Sequence, residues 1–149
     1  MLDLPARPDL GQLRRQAKDL LRAAKNGEAA AVARLHDVSG DLILDSAQLA
    51  VARDYGFASW AKLKTEVDRR EILDSRDVTR LKALLAEHPE RAVDKMQHWC
   101  DHRKGVSPLG YVAMLRFDSS RGQWREVPGT GAIARVLLEA GAPVWASPR

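Results

Sequence analysis

A chain of 149 residues dominated by Ala, Leu, Arg, Glu and Asp, with only 5% aromatic residues, fits one helix-rich domain with a sizeable core and argues against a β-rich one. Its formal net charge of +4 is too small to imply a nucleic-acid partner by itself, and its single cysteine, Cys100, excludes an internal disulfide, so a reducing cytoplasm is expected. The opening MLDLPARPDL has no apolar segment of the secretory kind, and no apolar run approaches the roughly 20 residues that span a bilayer, so no membrane partner is expected.

Leu10, Leu13, Ala17, Leu20, Leu21 and Ala24 recur at helical spacing and predict a first helix over about residues 9–26. Asp9 is placed to cap it and Gly27 to stop it. A second helix over about 28–36, with Ala31, Val32 and Leu35 inward, follows so closely that the two should pair antiparallel. The run HDVSGDLIL (36–44) ends in three aliphatics but has no strand to pair with, and a buried turn is predicted there. Asp45 or Ser46 then opens a third helix through Ala47, Ala50 and Val51, which Gly56 stops. Ser59 caps a fourth, with Trp60, Leu63 and Val67 inward, fading near Leu73. Phe57 and Trp60 make the joint between them an aromatic packing point rather than a ligand box.

A fifth helix is predicted over about 77–87 from Val78, Leu81, Leu84 and Leu85. His88-Pro89 ends it, and Pro89 starts a short helix towards Met96. Residues 97–106 are polar and loop-like. Ser107 then caps a helix with Pro108 at its first position, where the missing N–H has no partner to lose. Gly110 falls inside that first turn at a cost of about 1 kcal/mol relative to Ala. After the irregular RFDSSRGQWREVPGTG comes a last helix over about 131–140, with Ile133, Val136 and Leu137 inward and Gly141 as its stop.

Three helices end alike, in DLLRAAKNGE, KALLAEHPE and RVLLEAGAP, as recurring helix-pair units do. SPLGYVA followed by IARVLLEAGAPV resembles an ankyrin repeat, whose first helix starts Thr-Pro-Leu-His and whose second ends Leu-Leu-x-x-Gly-Ala. Ser107, Pro108, Leu109, Ala113, Leu137, Leu138, Gly141 and Ala142 match that pattern. VTRLKALLAEHPE is similar to the second helix of a preceding repeat, so the resemblance covers about residues 83–144. LRRQAKDLLRAA and YGFASWAKLK are similar to the leading segments of bacterial proteins that continue into ankyrin-like repeats. Two departures stand out. Gly110 occupies the position of the family's bracing histidine, and roughly a dozen extra residues separate the two helices of the last repeat. One device would account for both: Gly110 clears space that an inserted side chain fills, with Trp124 the leading candidate.

The richest set of chemistry-bearing residues joins the two irregular segments. It comprises His98, Trp99, Asp101, His102 and Arg103 with Tyr111, Arg116, Asp118, Arg121, Trp124, Arg125 and Glu126. Trp and Tyr offer rigid contact area and Arg a planar fork, the composition of interface anchors, although the same residues can simply brace an insertion. Trp99, Asp101, His102, Tyr111, Arg116, Trp124 and Arg125 are the candidate binding residues. His98 and His102 have helical ligand spacing but no HExxH glutamate, so no metal site is predicted. No Walker or GxGxxG motif is present and no cofactor is expected, nor does any serine sit in a GxSxG context. Gly129 and Gly131 before the last helix read as turn chemistry rather than an anion site. Arg14, Lys18 and Arg22, with Arg15 and Lys25 beside them, form a basic stripe opposite the leucines of the first helix, read as a solvated face.

These readings combine into an all-α chain of stacked antiparallel helix pairs, an ankyrin-like solenoid in a single domain. Residues 1–75 form a divergent helical part and 76–149 the repeats, with an insertion at 116–130. The expected function is protein–protein interaction through the ankyrin-like surface and the inserted loop, with another protein as partner. The alternatives are a small enzyme or small-molecule binder with a pocket between 97–106 and 116–130, and a nucleic-acid-associated protein.

Overall fold

In the computed structural model the described residues are 2, 4, 8–96, 106–114, 117–118, 121–124 and 127–142. They are mostly helical: α1 (Leu10–Lys25), α2 (Ala29–Val38), α3 (Leu44–Asp54), α4 (Trp60–Ser75), α5 (Val78–Glu87), α6 (Pro108–Met114) and α7 (Thr130–Glu139). A 3-10 turn, Pro89–Ala92, follows α5, and two short strands, β1 (Phe117–Asp118) and β2 (Gln123–Trp124), lie between α6 and α7. The chain divides into two compact units, Met1–Val67 and Asp68–Arg149, with the division inside α4.

In the first unit, α1 packs on both α2 and α3, and α2 on α3. Helix α1 starts where Asp9 accepts the Gly11 N–H at 2.8 Å. It ends where Gly27, at φ +82°, lets the Glu28 N–H turn back to the Ala23 carbonyl at 3.1 Å. Leu13, Ala17, Leu20 and Ala24 form its buried stripe, with Ala31 and Leu35 of α2 and Ala47, Ala50, Val51 and Ala52 of α3 in the same core. So many alanines allow the helix backbones to approach closely. Tyr55 and Phe57 close the core at the joint, where the Tyr55 hydroxyl pairs with the Gln16 side-chain amide at 3.3 Å. The Ser59 hydroxyl accepts the Lys62 N–H at 3.2 Å, and Leu63 and Val67 complete the cluster.

The turn before α3 corrects one expectation. Leu42, Ile43 and Leu44 were expected to lie buried, but they are 40%, 51% and 37% exposed. Helix α3 begins at Leu44, with Ile43 at the capping position and no side-chain hydrogen bond there. The Ser39 hydroxyl contacts that of Ser46 instead of leaving Ser46 to cap the helix, and it also accepts the Asp41 N–H at 3.3 Å.

The second unit is built around Ile72, Leu73, Leu81, Ala92, Met96, Tyr111, Val112, Ile133, Leu137 and Ala142. Here α7 packs on α5 and α6, and the 3-10 turn packs on both α5 and α6. Asp77 caps α5 by accepting the Arg80 N–H at 3.1 Å. The Pro89 turn is shorter than expected, a 3-10 segment that stops at Ala92 rather than continuing towards Met96. The Met96 N–H donates to the Val106 carbonyl at 2.7 Å, which joins the two ends of segment 97–105. The last turn of α4 closes through Arg76, a non-glycine at φ +52°, whose side chain lies against Gly129 and reaches Thr130 Oγ1 at 3.5 Å.

Charge enters the interior where periodicity alone places apolar residues. Glu66, Arg69 and Arg70 of α4 are all buried. The Arg69 guanidinium gathers three backbone carbonyls: Nη1 donates to Arg91 O at 2.9 Å and Asp94 O at 2.7 Å, and Nη2 to Lys95 O at 3.2 Å. These carbonyls lie at and just past the end of the 3-10 turn, where no intrahelical donor remains for them. A planar fork of donors suits that task.

The structure also explains Gly110, differently from the expectation. Its N–H donates to the Ser107 hydroxyl at 3.0 Å, as the cap predicts. A Cβ added there would meet Val106 Cγ2 at 2.8 Å and Ser107 Oγ at 3.2 Å, with no Trp124 atom among its near neighbours. The glycine clears room for the segment that leads into its own helix. Gly110→Ala should therefore destabilise the chain by about 1–3 kcal/mol, because steric strain outweighs the helix propensity that alanine adds. Adding Val106→Ala should recover part of that loss. Thermal melts of the two single variants and the double variant measure the coupling, and an alanine variant that melts at or above the parent would refute the close approach.

Candidate binding surfaces

Of the candidate residues, Trp99, Asp101, His102, Arg116 and Arg125 lie outside the described residues, as do His98, Arg103 and Glu126. Tyr111 and Trp124 are described, and they take opposite roles. Tyr111 is 1% exposed in the second core, and its hydroxyl donates to the Asp74 carboxylate at 2.5 Å. Its ring packs while its polar tip is satisfied inward, so it is a core residue and not the exposed anchor expected from its type.

Trp124 is the reverse case, 60% exposed on β2. Strands β1 and β2 pair antiparallel, with Phe117 opposite Trp124 and Asp118 opposite Gln123. Arg121 and Gly122 lie in the intervening turn, and both are exposed. The ladder holds Trp124 in register on an extended backbone, which limits the conformational freedom an indole would lose on binding. Trp124 and Arg121 together present the two side-chain types most enriched among interface anchors.

The first unit carries a second surface, along part of the basic stripe that the sequence presents as a solvated face. Lys18, Leu21, Arg22 and Lys25 of α1, the following Asn26, and Leu44 of α3 line an open groove of about 440 Å³. Lys18, Arg22 and Lys25 are exposed, and Leu21 is half-buried at the edge of the core. Arg22 reaches Asp19 at 3.5 Å with both side chains mostly in solvent, an arrangement that contributes little stability. Leu42 and Ile43 lead into the Leu44 side of this groove. The signal available in the sequence was the aliphatic triplet between Asp41 and Asp45, a short apolar run in a polar turn.

Among the described residues, no three His, Cys, Asp or Glu side chains come together as a metal-binding group, and no helix is long and apolar enough to cross a membrane. Comparison of the chain with protein-family models, curated proteins and solved structures finds no match.

Proposed function

We propose that the chain is a protein-interaction module of ankyrin-like kind that recognises another protein through the insertion between α6 and α7. The observation that carries this reading is Trp124: a large, rigid side chain 60% exposed on a paired strand. An indole 60% exposed offers a large rigid apolar area to a partner, the kind of side chain enriched among interface anchors. Arg121 in the adjacent turn is exposed beside it, a side-chain type also enriched at interfaces. The Ser-Pro-Leu start of α6 and the Leu-Leu-x-x-Gly-Ala end of α7 support the family reading.

The test is a photo-crosslinker placed at position 124 of the whole chain in its native cells, followed by binding measurements with the purified partner. Trp124→Ala should weaken that complex by about 2 kcal/mol, the loss typical of a central anchor. Lys82→Ala on the exposed side of α5 should leave affinity unchanged, and both variants should keep the parental melting temperature. Equal affinity of the parent and the Trp124 variant would remove the insertion from the interface.

A further inference from the structure

The groove of the first unit has a composition that folding alone does not require. Ile43 holds the capping position of α3, where Ser, Thr, Asp or Asn would stabilise the helix by about 1 kcal/mol. Leu42 and Leu44 beside it remain substantially in water, so one short segment gives up both a cap and the burial of its aliphatic side chains. Across the groove, Lys18, Arg22 and Lys25 recur at intervals of four and three residues, which puts them on one side of α1. The helix dipole accounts for cations in the last turn, where Arg22 and Lys25 lie. It does not account for Lys18, nor for the aliphatic rim opposite.

We propose that this groove binds an acidic amphipathic helix of another protein. The partner's aliphatic side chains, spaced i, i+3/i+4 and i+7, lie against Leu21 and Leu44 and extend to the exposed Ile43 beside Leu44, while its flanking carboxylates pair with Lys18, Arg22 and Lys25. The solvent-exposed Asp19–Arg22 pair exchanges readily for a partner carboxylate. Three cations beside the aliphatic Leu21 and Leu44 match an occupant whose carboxylates flank an apolar stripe. Among the described residues, the lining holds no aromatic ring on which a nucleic-acid base could stack. The site belongs to the first unit and does not depend on the Trp124 reading.

The probe is a synthetic helical peptide of about 16 residues with leucines on one stripe and glutamates flanking it. It is titrated into the isotope-labelled whole chain. Binding should move the amide signals of Lys18, Leu21, Lys25 and Leu44. The Lys18→Glu/Lys25→Glu variant should lose about tenfold or more in affinity and should recover binding to the same peptide with lysines in place of glutamates. Ile43→Ser, which leaves the charge untouched, should weaken binding severalfold. Circular dichroism melts confirm that each variant is folded. No binding by the parent chain would overturn the proposal, as would equal binding of a peptide with alanines for leucines, or shifts that map elsewhere. Binding of phosphatidylserine vesicles or a short DNA duplex, with the peptide silent, would overturn it in favour of that partner class.

Discussion

Methionine in place of Arg69 is expected to lower the unfolding free energy by about 3–5 kcal/mol, because three backbone carbonyls are left without their donor. The substitution keeps an unbranched stem of similar length and removes the guanidinium that accepts no water-facing alternative, since Arg69 is only 1% exposed. Three carbonyls, of Arg91, Asp94 and Lys95, lose a charged donor at once. Bonds of this kind contribute about 1.5–3 kcal/mol each, although three bonds to one group do not add independently. Lysine at the same position should recover only part of the loss, because an ammonium is a point charge without the planar fork. Urea denaturation reads the free energy, and amide exchange locates it. The Met96 N–H, held by Val106, should lose protection early in the methionine variant, because its segment follows directly from the anchored carbonyls. A variant within about 1 kcal/mol of the parent would mean that the fork does not hold this segment.

Leu35→Ala should be nearly as damaging, at about 3 kcal/mol or more. Leu35 is fully buried on α2, in a core whose neighbours include Ala17, Ala24, Ala31, Ala47, Ala50 and Ala52. Helices that already meet through alanines have little room to close further, so the deleted side chain leaves a cavity rather than a collapse. Leu138→Ala on α7 is the matched control, since Leu138 is 44% exposed and the same chemical change there should cost less than about 0.5 kcal/mol. Equal effects at the two positions, measured by denaturant unfolding, would contradict the burial assigned to Leu35.

The helix boundaries were largely legible because their signals act within one turn. Asp9, Ser59 and Ser107 accept first-turn N–H groups as their capping positions predict, and Asp77 caps α5 in the same way. Gly27, Gly56 and Gly141 take positive φ at the helix ends. The last turn of α4 was less legible, because Arg76 carries a glycine-like conformation without being glycine. Its side-chain contacts with Gly129 and Thr130 come from far along the chain. The buried charges of α4 were missed for a related reason. DRRE reads locally as solvent-facing, and only the backbone carbonyls of a later segment make the interior a suitable place for Arg69.

The candidate binding residues show the same division. Tyr111 and Trp124 share one expected role as aromatic anchors, yet Tyr111 is buried with its hydroxyl on Asp74 while Trp124 stands at the surface on a paired strand. The leucine stripe of α1 and its opposite basic face follow from spacing alone, because 3.6 residues per turn sort them onto different sides. Which cations border an apolar groove depends on where α3 begins and how its first residues pack. Residue order thus specified the helices, their ends and most inward stripes, since hydrogen bonding and side-chain periodicity are short-range. Tertiary packing settled the buried arginines and the exposed aliphatic turn, because burial is set by whichever distant segment arrives to cover a side chain.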